Sequence, residues 1–320
     1  MIIIKAPLRI SLGGGGTDLY NWYTKHESFL ITATINKFIY VTVNKRDLTK
    51  DILLSYSKLE NVKKTNDIKH TIIKYILKKH KIENSIEIHT ISEVPSNSGL
   101  GSSGAVAAAL IKSLNLKMPK NKIAEAACKV EFDLNNKNSG KQDQYASVYG
   151  GINAIKIKKN GKTTVKKLNL SKKEILKLQK NIKIIFTKKQ RETKNVISKQ
   201  SKEFQKKNKE KIMFKIQKIG EKTYQSFLRG DIDNFGTLLD EHWKAKRSFG
   251  EFMSSTSIDN LYNNLKNNGA TGGKIIGAGG GGFLMMYVPK KNHKKFENYL
   301  KRKKYKKLDW KFYDKGIEKV

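Results

Sequence analysis

Three stretches of this chain carry residue types that could handle a phosphate group. The first is Pro95–Leu114. Gly99-Leu100-Gly101-Ser102-Ser103-Gly104 is a loop of mostly small residues, and Ala105–Leu114 behind it is rich in strong helix formers. The glycines let backbone amides turn toward one point, and Ser102 or Ser103 can cap the helix that follows. Unpaired amides at the positive end of a helix dipole attract a phosphate. The second stretch is Gly13-Gly14-Gly15-Gly16-Thr17-Asp18. A glycine run of this kind implies a backbone that must bend or admit a neighbour closely. Asp18 would cap a short helix through Asn21-Trp22-Tyr23 or hold a ligand hydroxyl. The third is the glycine run Gly277–Gly282.

Several readings compete for the first loop. It fits G-x-G-x-x-G, but a dinucleotide fold needs a strand running straight into the first glycine. Here the expected strand Ser85–Ile91 ends early, and Ser92–Ser98 intervene with Pro95 inside. A Walker A loop needs a lysine after the last glycine, and none follows Gly101 or Gly104. The plainer alternative is a tight turn capping a buried, alanine-rich helix. Gly277–Gly282 has the same formal spacing, but a strand is expected after it. Close packing against another loop suits that run better than a phosphate cradle.

The elements that must position these loops alternate in type. Ile2–Ile4 and Leu8–Leu12 read as two strands split by Pro7, and Ser28–Ile35 with Ile39–Asn44 as a strand pair. Ile52–Tyr56 is a further strand. Helical spacing covers Ile68–Lys81 and Lys120–Leu134. Lys141-Gln142-Asp143-Gln144-Tyr145-Ala146 opens a short helix ending before Gly150-Gly151, and strands Ile152–Ile157 and Thr163–Leu168 follow. In the second half, Ile182–Phe186 is a strand. Arg191–Arg229 is a long helix with Phe204, Ile212, Ile216, Ile219 and Tyr224 inward. Helices over Ile232–Phe249, Ile258–Leu265 and Lys291–Lys301 surround strands Lys274–Ile276 and Phe283–Val288, and Leu308–Phe312 is a last strand. The lysine-rich, weakly patterned stretch 158–181 marks the boundary, giving domains 1–170 and 171–320.

At 320 residues the chain can build about two domains with real cores. No apolar run approaches the ~18 residues that span a bilayer. The N-terminus does not have the shape of a signal peptide. The one cysteine, Cys128, cannot form an internal disulfide. These features predict a cytoplasmic protein with no membrane insertion. The net charge of +37 raises nucleic-acid binding as a question. The excess is nearly all lysine, spread along the whole chain beside abundant Ile and Asn. That pattern fits drift in an AT-rich coding sequence, and nucleic acid is not an expected partner.

Taken together, the motifs resemble the GHMP small-molecule kinases. Pro7-Leu8-Arg9-Ile10-Ser11-Leu12 with Gly16-Thr17-Asp18 is similar to that family's first motif, Pro95–Gly104 to its P-x-x-x-G-L-G-S-S nucleotide loop, and Gly277–Phe283 to its third motif. The likeness spans essentially the whole chain. Within the family the chain looks most like the heptose 7-phosphate kinases, through APLRI-x-L-x-GGGTD at the start and GKQDQYA in the middle. Galactokinases carry an acidic residue and a histidine where this chain has Gly15 and Gly16, which argues for a larger or phosphorylated sugar.

The resemblance implies an α/β (α+β) two-domain fold with the active site between the domains. The N-terminal domain would be ribosomal-protein-S5-domain-2-like and the C-terminal domain ferredoxin-like. It implies ATP and Mg²⁺ as cofactors and a sugar phosphate as substrate, in a monomer or homodimer. Pro95, Ser98, Gly99, Leu100, Gly101, Ser102 and Ser103 would bind ATP. Ser103 and Glu131 would hold Mg²⁺. Asp143 would take or orient the proton of the attacking sugar hydroxyl, with Arg9 facing it. Gly16, Thr17 and Asp18 would meet the sugar, and Lys141 the sugar or its distal phosphate. His242-Trp243-Lys244 is a polar-aromatic cluster that would either pack or touch substrate.

Overall fold

The computed structural model describes residues 1–189, 193–203 and 207–320. In chain order, the first half comprises β1 (Ile2–Gly13), α1 (Tyr20–Tyr23), β2 (Ser28–Lys45), β3 (Ile52–Ser55), β4 (Leu59–Val62), α2 (Thr71–Lys79), β5 (Ile86–Ser92), α3 (Ser102–Leu114), α4 (Lys120–Leu134), α5 (Gln142–Tyr149), β6 (Ile152–Ile157) and β7 (Thr163–Lys167). The second comprises α6 (Lys172–Asn181), β8 (Ile182–Phe186), α7 (Thr193–Glu203), α8 (Lys207–Leu228), α9 (Phe235–Arg247), α10 (Thr256–Asn267), β9 (Gly272–Ile275), β10 (Phe283–Tyr287), α11 (His293–Arg302) and β11 (Glu318–Lys319).

The first sheet is built on β1 and β2, both longer than expected. Pro7 does not end β1. It sits at a register shift, where Pro7 faces Phe38 and Leu8 faces Ile35. A proline has no N–H to give the ladder, and an irregularity is where a strand tolerates one. The same shift absorbs Asn36 and Lys37, so Ser28–Lys45 is one strand and not a hairpin. The Asn36 amide is satisfied by Lys311 O at 2.9 Å instead. β2 is long enough to serve two neighbours along one edge, β6 against Ser28–Ala33 and β5 against Ile39–Lys45. All pairings are antiparallel except β3 with β5. From Ala6 onward β1 is buried, because α3 packs on this sheet and α8 approaches β1 and β2 as well.

The second sheet has the order β8-β10-β9, antiparallel throughout. Residues 306–308 extend it beyond β8: Phe186 N donates to Lys306 O at 3.0 Å, and Leu308 N to Ile184 O at 2.8 Å. The resulting order, last-first-third-second, is the ferredoxin-like one. The expected strand Leu308–Phe312 is not continuous. Its start bonds β8 and its end crosses to β2, where Phe312 bridges Ile35. The stretch 158–181 contains α6, closed by a capping box in which Ser171 and Glu174 satisfy each other's backbone amides. The long helix expected over Arg191–Arg229 is represented by α7 and α8. Arg191 and Phe204 lie outside the described residues.

Cys128 is buried, and burial pushes its thiol well above the usual range. No helix among the described residues is long and apolar enough to cross a membrane.

Candidate functional site

The Arg9 side chain joins three elements. Its backbone N–H donates to Leu100 O at 2.9 Å, tying β1 to the glycine loop. One guanidinium nitrogen, Nη1, donates to Gly99 O. Nε and Nη2 donate to Asp143 Oδ1 at 2.9 and 2.6 Å. Asp143 lies in the first turn of α5, where a carboxylate gains from the helix dipole. Both contacts fall on Oδ1, so Oδ2 has no hydrogen-bond partner among the described residues. Asp143 lines a cleft of about 600 Å³, and its side chain keeps 26% of its surface exposed.

The glycines are what allow this approach. Gly101 has φ +86°, and a Cβ there would sit 3.2 Å from Arg9 Cγ and 3.3 Å from Asp143 Cγ. A Cβ on Gly104 would meet Asp143 Cβ at 2.7 Å. Gly101 is the residue before α3, so neither Ser102 nor Ser103 is its cap; both lie in its first turn. The amides of that turn have no intrahelical partner and point out of the helix end. The Ser98 and Ser102 hydroxyls are buried with no partner among the described residues, and both residues line the cleft. Orphan amides and orphan hydroxyls at one point fit a phosphate chain. The third glycine run buttresses this loop from behind. A Cβ on Gly277 would lie 2.8 Å from Gly99 O, and one on Gly282 2.4 Å from Ser98 O.

Ser103 and Glu131 line the same cleft. Burial, and then the charge of Asp143, pushes the Glu131 carboxyl up to about 7, against hydrogen bonds from Ser103 and Gln144. Gln144 Nε2 donates to Glu131 Oε2 at 2.8 Å. A hydroxyl and a carboxylate, with a second carboxylate in electrostatic reach, form an all-oxygen set. That chemistry suits a hard divalent cation that takes its remaining ligands from phosphates and water.

On the other side, the turn carrying Gly16 and Asp18 meets the turn before α5. Asp18 accepts from Gly16 N at 3.1 Å and Gln142 N at 3.0 Å. It does not cap α1, whose preceding residue is Leu19. Burial raises its pKa. Gly16 and Asp18 line the cleft, but Thr17 does not. Its hydroxyl is fully buried, donating to Gly14 O at 2.8 Å with Ser28 Oγ 2.9 Å away, so it braces the turn. Lys141 also points elsewhere. Its ammonium is held by Glu125 at 2.7 and 2.9 Å and by Gly161 O at 2.7 Å, which removes it as a sugar contact. Pro95 and Leu100 are not part of the lining either; Leu100 is core, and Pro95 is exposed. His242 and Trp243 are buried in packing, while Lys244 pairs with Asp240 at 2.9 Å.

Among the cleft residues that escaped the sequence reading are two lysines. Lys246, from α9, and Lys274, from β9, both reach the cleft while nearly fully buried. A lysine inside an apolar strand between Gly273 and Ile275 was the available signal. It was hidden by 65 basic residues spread along the chain.

Residues 66–151 match the family model of the GHMP kinases N terminal domain, and residues 223–307 that of the GHMP kinases C terminal region. The chain is 30% identical over 299 residues to D-glycero-alpha-D-manno-heptose 7-phosphate kinase of Campylobacter jejuni, covering 89% of this chain and 88% of that one. It is 23% identical to galactokinase of Thermotoga neapolitana, over 93% of this chain and 92% of the relative. Among solved structures, a D-glycero-D-manno-heptose 1-phosphate kinase from Bacteriodes thetaiotaomicron has the same fold, with a TM-score of 0.81 at 23% identity over 100% and 99% of the two chains.

Proposed function

The chain belongs to the GHMP kinase family, and on that premise we propose that it transfers the γ-phosphoryl group of ATP to the anomeric hydroxyl of D-glycero-D-manno-heptose 7-phosphate, giving the 1,7-bisphosphate. It is a sugar kinase, a phosphotransferase with an alcohol group as acceptor. The observation that carries the substrate is the 30% identity with a heptose 7-phosphate kinase along 89% of the chain. The local support for the chemistry is the Arg9–Asp143 pair at the foot of the glycine loop. ATP and the sugar phosphate would meet in the cytoplasm, and we divide the chain into domains 1–170 and 171–320.

Phosphoryl transfer needs positioning and charge neutralisation more than covalent help. The amides of Gly99–Ser103 and the orphan hydroxyls of Ser98 and Ser102 hold the triphosphate. Ser103 and Glu131 would hold Mg²⁺, which when bound offsets charge on the β- and γ-phosphates. Asp143 Oδ2 accepts the proton of the anomeric hydroxyl as its oxygen forms the new bond to phosphorus. The bond from phosphorus to the bridging oxygen breaks, and ADP leaves with that electron pair. Arg9 fixes the carboxylate through Oδ1 and places positive charge beside the transferring group. Gly16 and Asp18 shape the acceptor end.

A non-catalytic, regulatory family member is the alternative from another class. The retention of Arg9, Ser103, Glu131 and Asp143 around one cleft argues against it. ATP consumption should be measured over a panel of heptose 7-phosphate, galactose, fucose and mannose, with the product's phosphorylated carbon assigned by phosphorus NMR. Turnover of heptose 7-phosphate to a 1-phosphate is expected. Turnover of another sugar in its place overturns the substrate, and turnover of none favours the regulatory reading.

A further inference from the structure

Two lysines in the cleft have no ion-pair partner among the described residues. Lys246 and Lys274 are 5% and 2% exposed, and both line the cleft. Lys246 Nζ donates to Gly277 O at 2.5 Å. Lys274 Nζ lies 3.4 Å from Ser11 Oγ, a long contact. An ammonium has three donors, so each lysine keeps two without a protein acceptor among the described residues. Neither forms an ion pair with a described carboxylate. Burying an unpaired ammonium costs several kcal/mol, and here two lie within electrostatic reach of each other and of the Arg9 guanidinium. Burial, then the charge of Arg9, lowers Lys246 to about 8; burial, then Lys246 and Arg9, lowers Lys274 well below the ordinary lysine value.

Packing does not require this arrangement, since a methionine would fill the same space without the charge. The carboxylates nearby are already engaged. Arg9 holds Asp143 through Oδ1, and the amides of Gly16 and Gln142 hold Asp18. The cluster of Lys246, Lys274 and Arg9 is positively charged and faces the cleft, which suits an anionic group. Lys274 Nζ lies beside Ser11 Oγ, Lys246 is within electrostatic reach of Asp18 and donates to Gly277 O, and the orphan amides and hydroxyls lie around Ser98–Ser103. We propose that Lys246 and Lys274 form a phosphate-dianion subsite, and that its occupant is the phosphate the acceptor already carries. The choice of occupant rests on the sugar-phosphate kinase reading; the subsite itself does not.

The test uses the full chain with Lys246→Met, Lys274→Met and the double variant. In thermal denaturation without ligand, the double variant is expected to melt above wild type, because two unpaired buried charges are gone. Millimolar inorganic phosphate, added over a saturating nonhydrolysable ATP analogue, should raise the melting temperature of wild type but not of the double variant. A double variant that melts lower and still responds to phosphate overturns the subsite. Lys274→Arg, which keeps the charge, should restore part of the response if Lys274→Met folds poorly. In kinetics, each methionine variant should raise KM for heptose 7-phosphate ~10–100-fold, the worth of a charged hydrogen bond. KM for ATP and for the unphosphorylated heptose should not move. A fall in kcat with both acceptors, at unchanged sugar KM, overturns the acceptor assignment and gives the subsite to the transferring phosphoryl. If wild type phosphorylates no sugar phosphate but its phosphate response still depends on the two lysines, the substrate reading fails and the subsite stands.

Discussion

Arg9 and Asp143 are 134 residues apart in the chain, yet Arg9 reaches one carboxylate oxygen of Asp143 through both Nε and Nη2, at 2.9 and 2.6 Å. The contact commits Oδ1 to structure and leaves Oδ2 to the cleft. It also links the first strand, the glycine loop and the start of α5, so the site depends on three segments holding together.

The glycines of the loop are therefore spacers for side chains as well as turn formers. Gly104→Ala places a methyl 2.7 Å from Asp143 Cβ and 3.1 Å from Gln144 N. Overpacking of this kind costs about 1–3 kcal/mol. Stability to urea should fall by that amount and turnover by more than tenfold, because the displaced residue is Asp143. Unchanged turnover in a destabilised variant would show that the spacing is not tuned to the pair.

Lys141 is expected to matter for stability and not for the sugar. Its side chain is 4% exposed, while that of Glu125 is 45% exposed. Glu125→Ala strands a buried ammonium, so it should destabilise more than Lys141→Met, which leaves a carboxylate able to reach water. Sugar KM should stay within about twofold of wild type in Lys141→Met. A large rise in that KM would return Lys141 to the acceptor site.

Glu131→Gln keeps the shape of the side chain and the contact with Gln144 but removes the charge. The Mg²⁺ concentration for half-maximal rate should rise by about tenfold or more. An unaltered Mg²⁺ dependence would remove Glu131 from the metal's ligands.

His242 gives a pH dependence of stability. It is buried, with both ring nitrogens unpaired among the described residues, and burial, then Lys274 and Lys246, lowers its pKa well below 6.5. Above pH 6.5 both the folded and unfolded histidine are neutral, and the stability is fully present. As pH falls through 6.5 the unfolded chain takes up a proton that the folded one refuses. Stability is then lost at about 1.4 kcal/mol per pH unit. Melting temperature between pH 7 and 5 should fall more steeply for wild type than for His242→Leu. Parallel curves would mean that His242 is protonated in the folded protein or reaches water.

Much of the site was legible because its parts depend on local backbone. The glycine loop with its following helix, and the glycine run packed behind it, follow from residue types that permit such turns. The meeting of Arg9 with Asp143 came only through the family resemblance, since no local pattern joins positions so far apart. Features set by tertiary context were lost. Pro7 and Asn36-Lys37 read as breaks because their compensation, a shared register shift and a bond to Lys311, lies in other segments. Thr17 and Lys141 have residue types that suit a sugar site, but their partners, Ser28 and Glu125, turn them inward. Helix α6 carried a readable capping signal in Ser171 and Glu174, obscured by the lysines around it.

The central claim is that Asp143, fixed by Arg9, activates a sugar hydroxyl toward ATP. The direct measurement is transfer from ATP to D-glycero-D-manno-heptose 7-phosphate by wild type and Asp143→Asn side by side, with ATP affinity determined for both. The account predicts a 1-phosphate product from wild type and a rate ~10²–10⁴-fold lower in the variant at similar ATP affinity. Near-normal turnover by Asp143→Asn would contradict it.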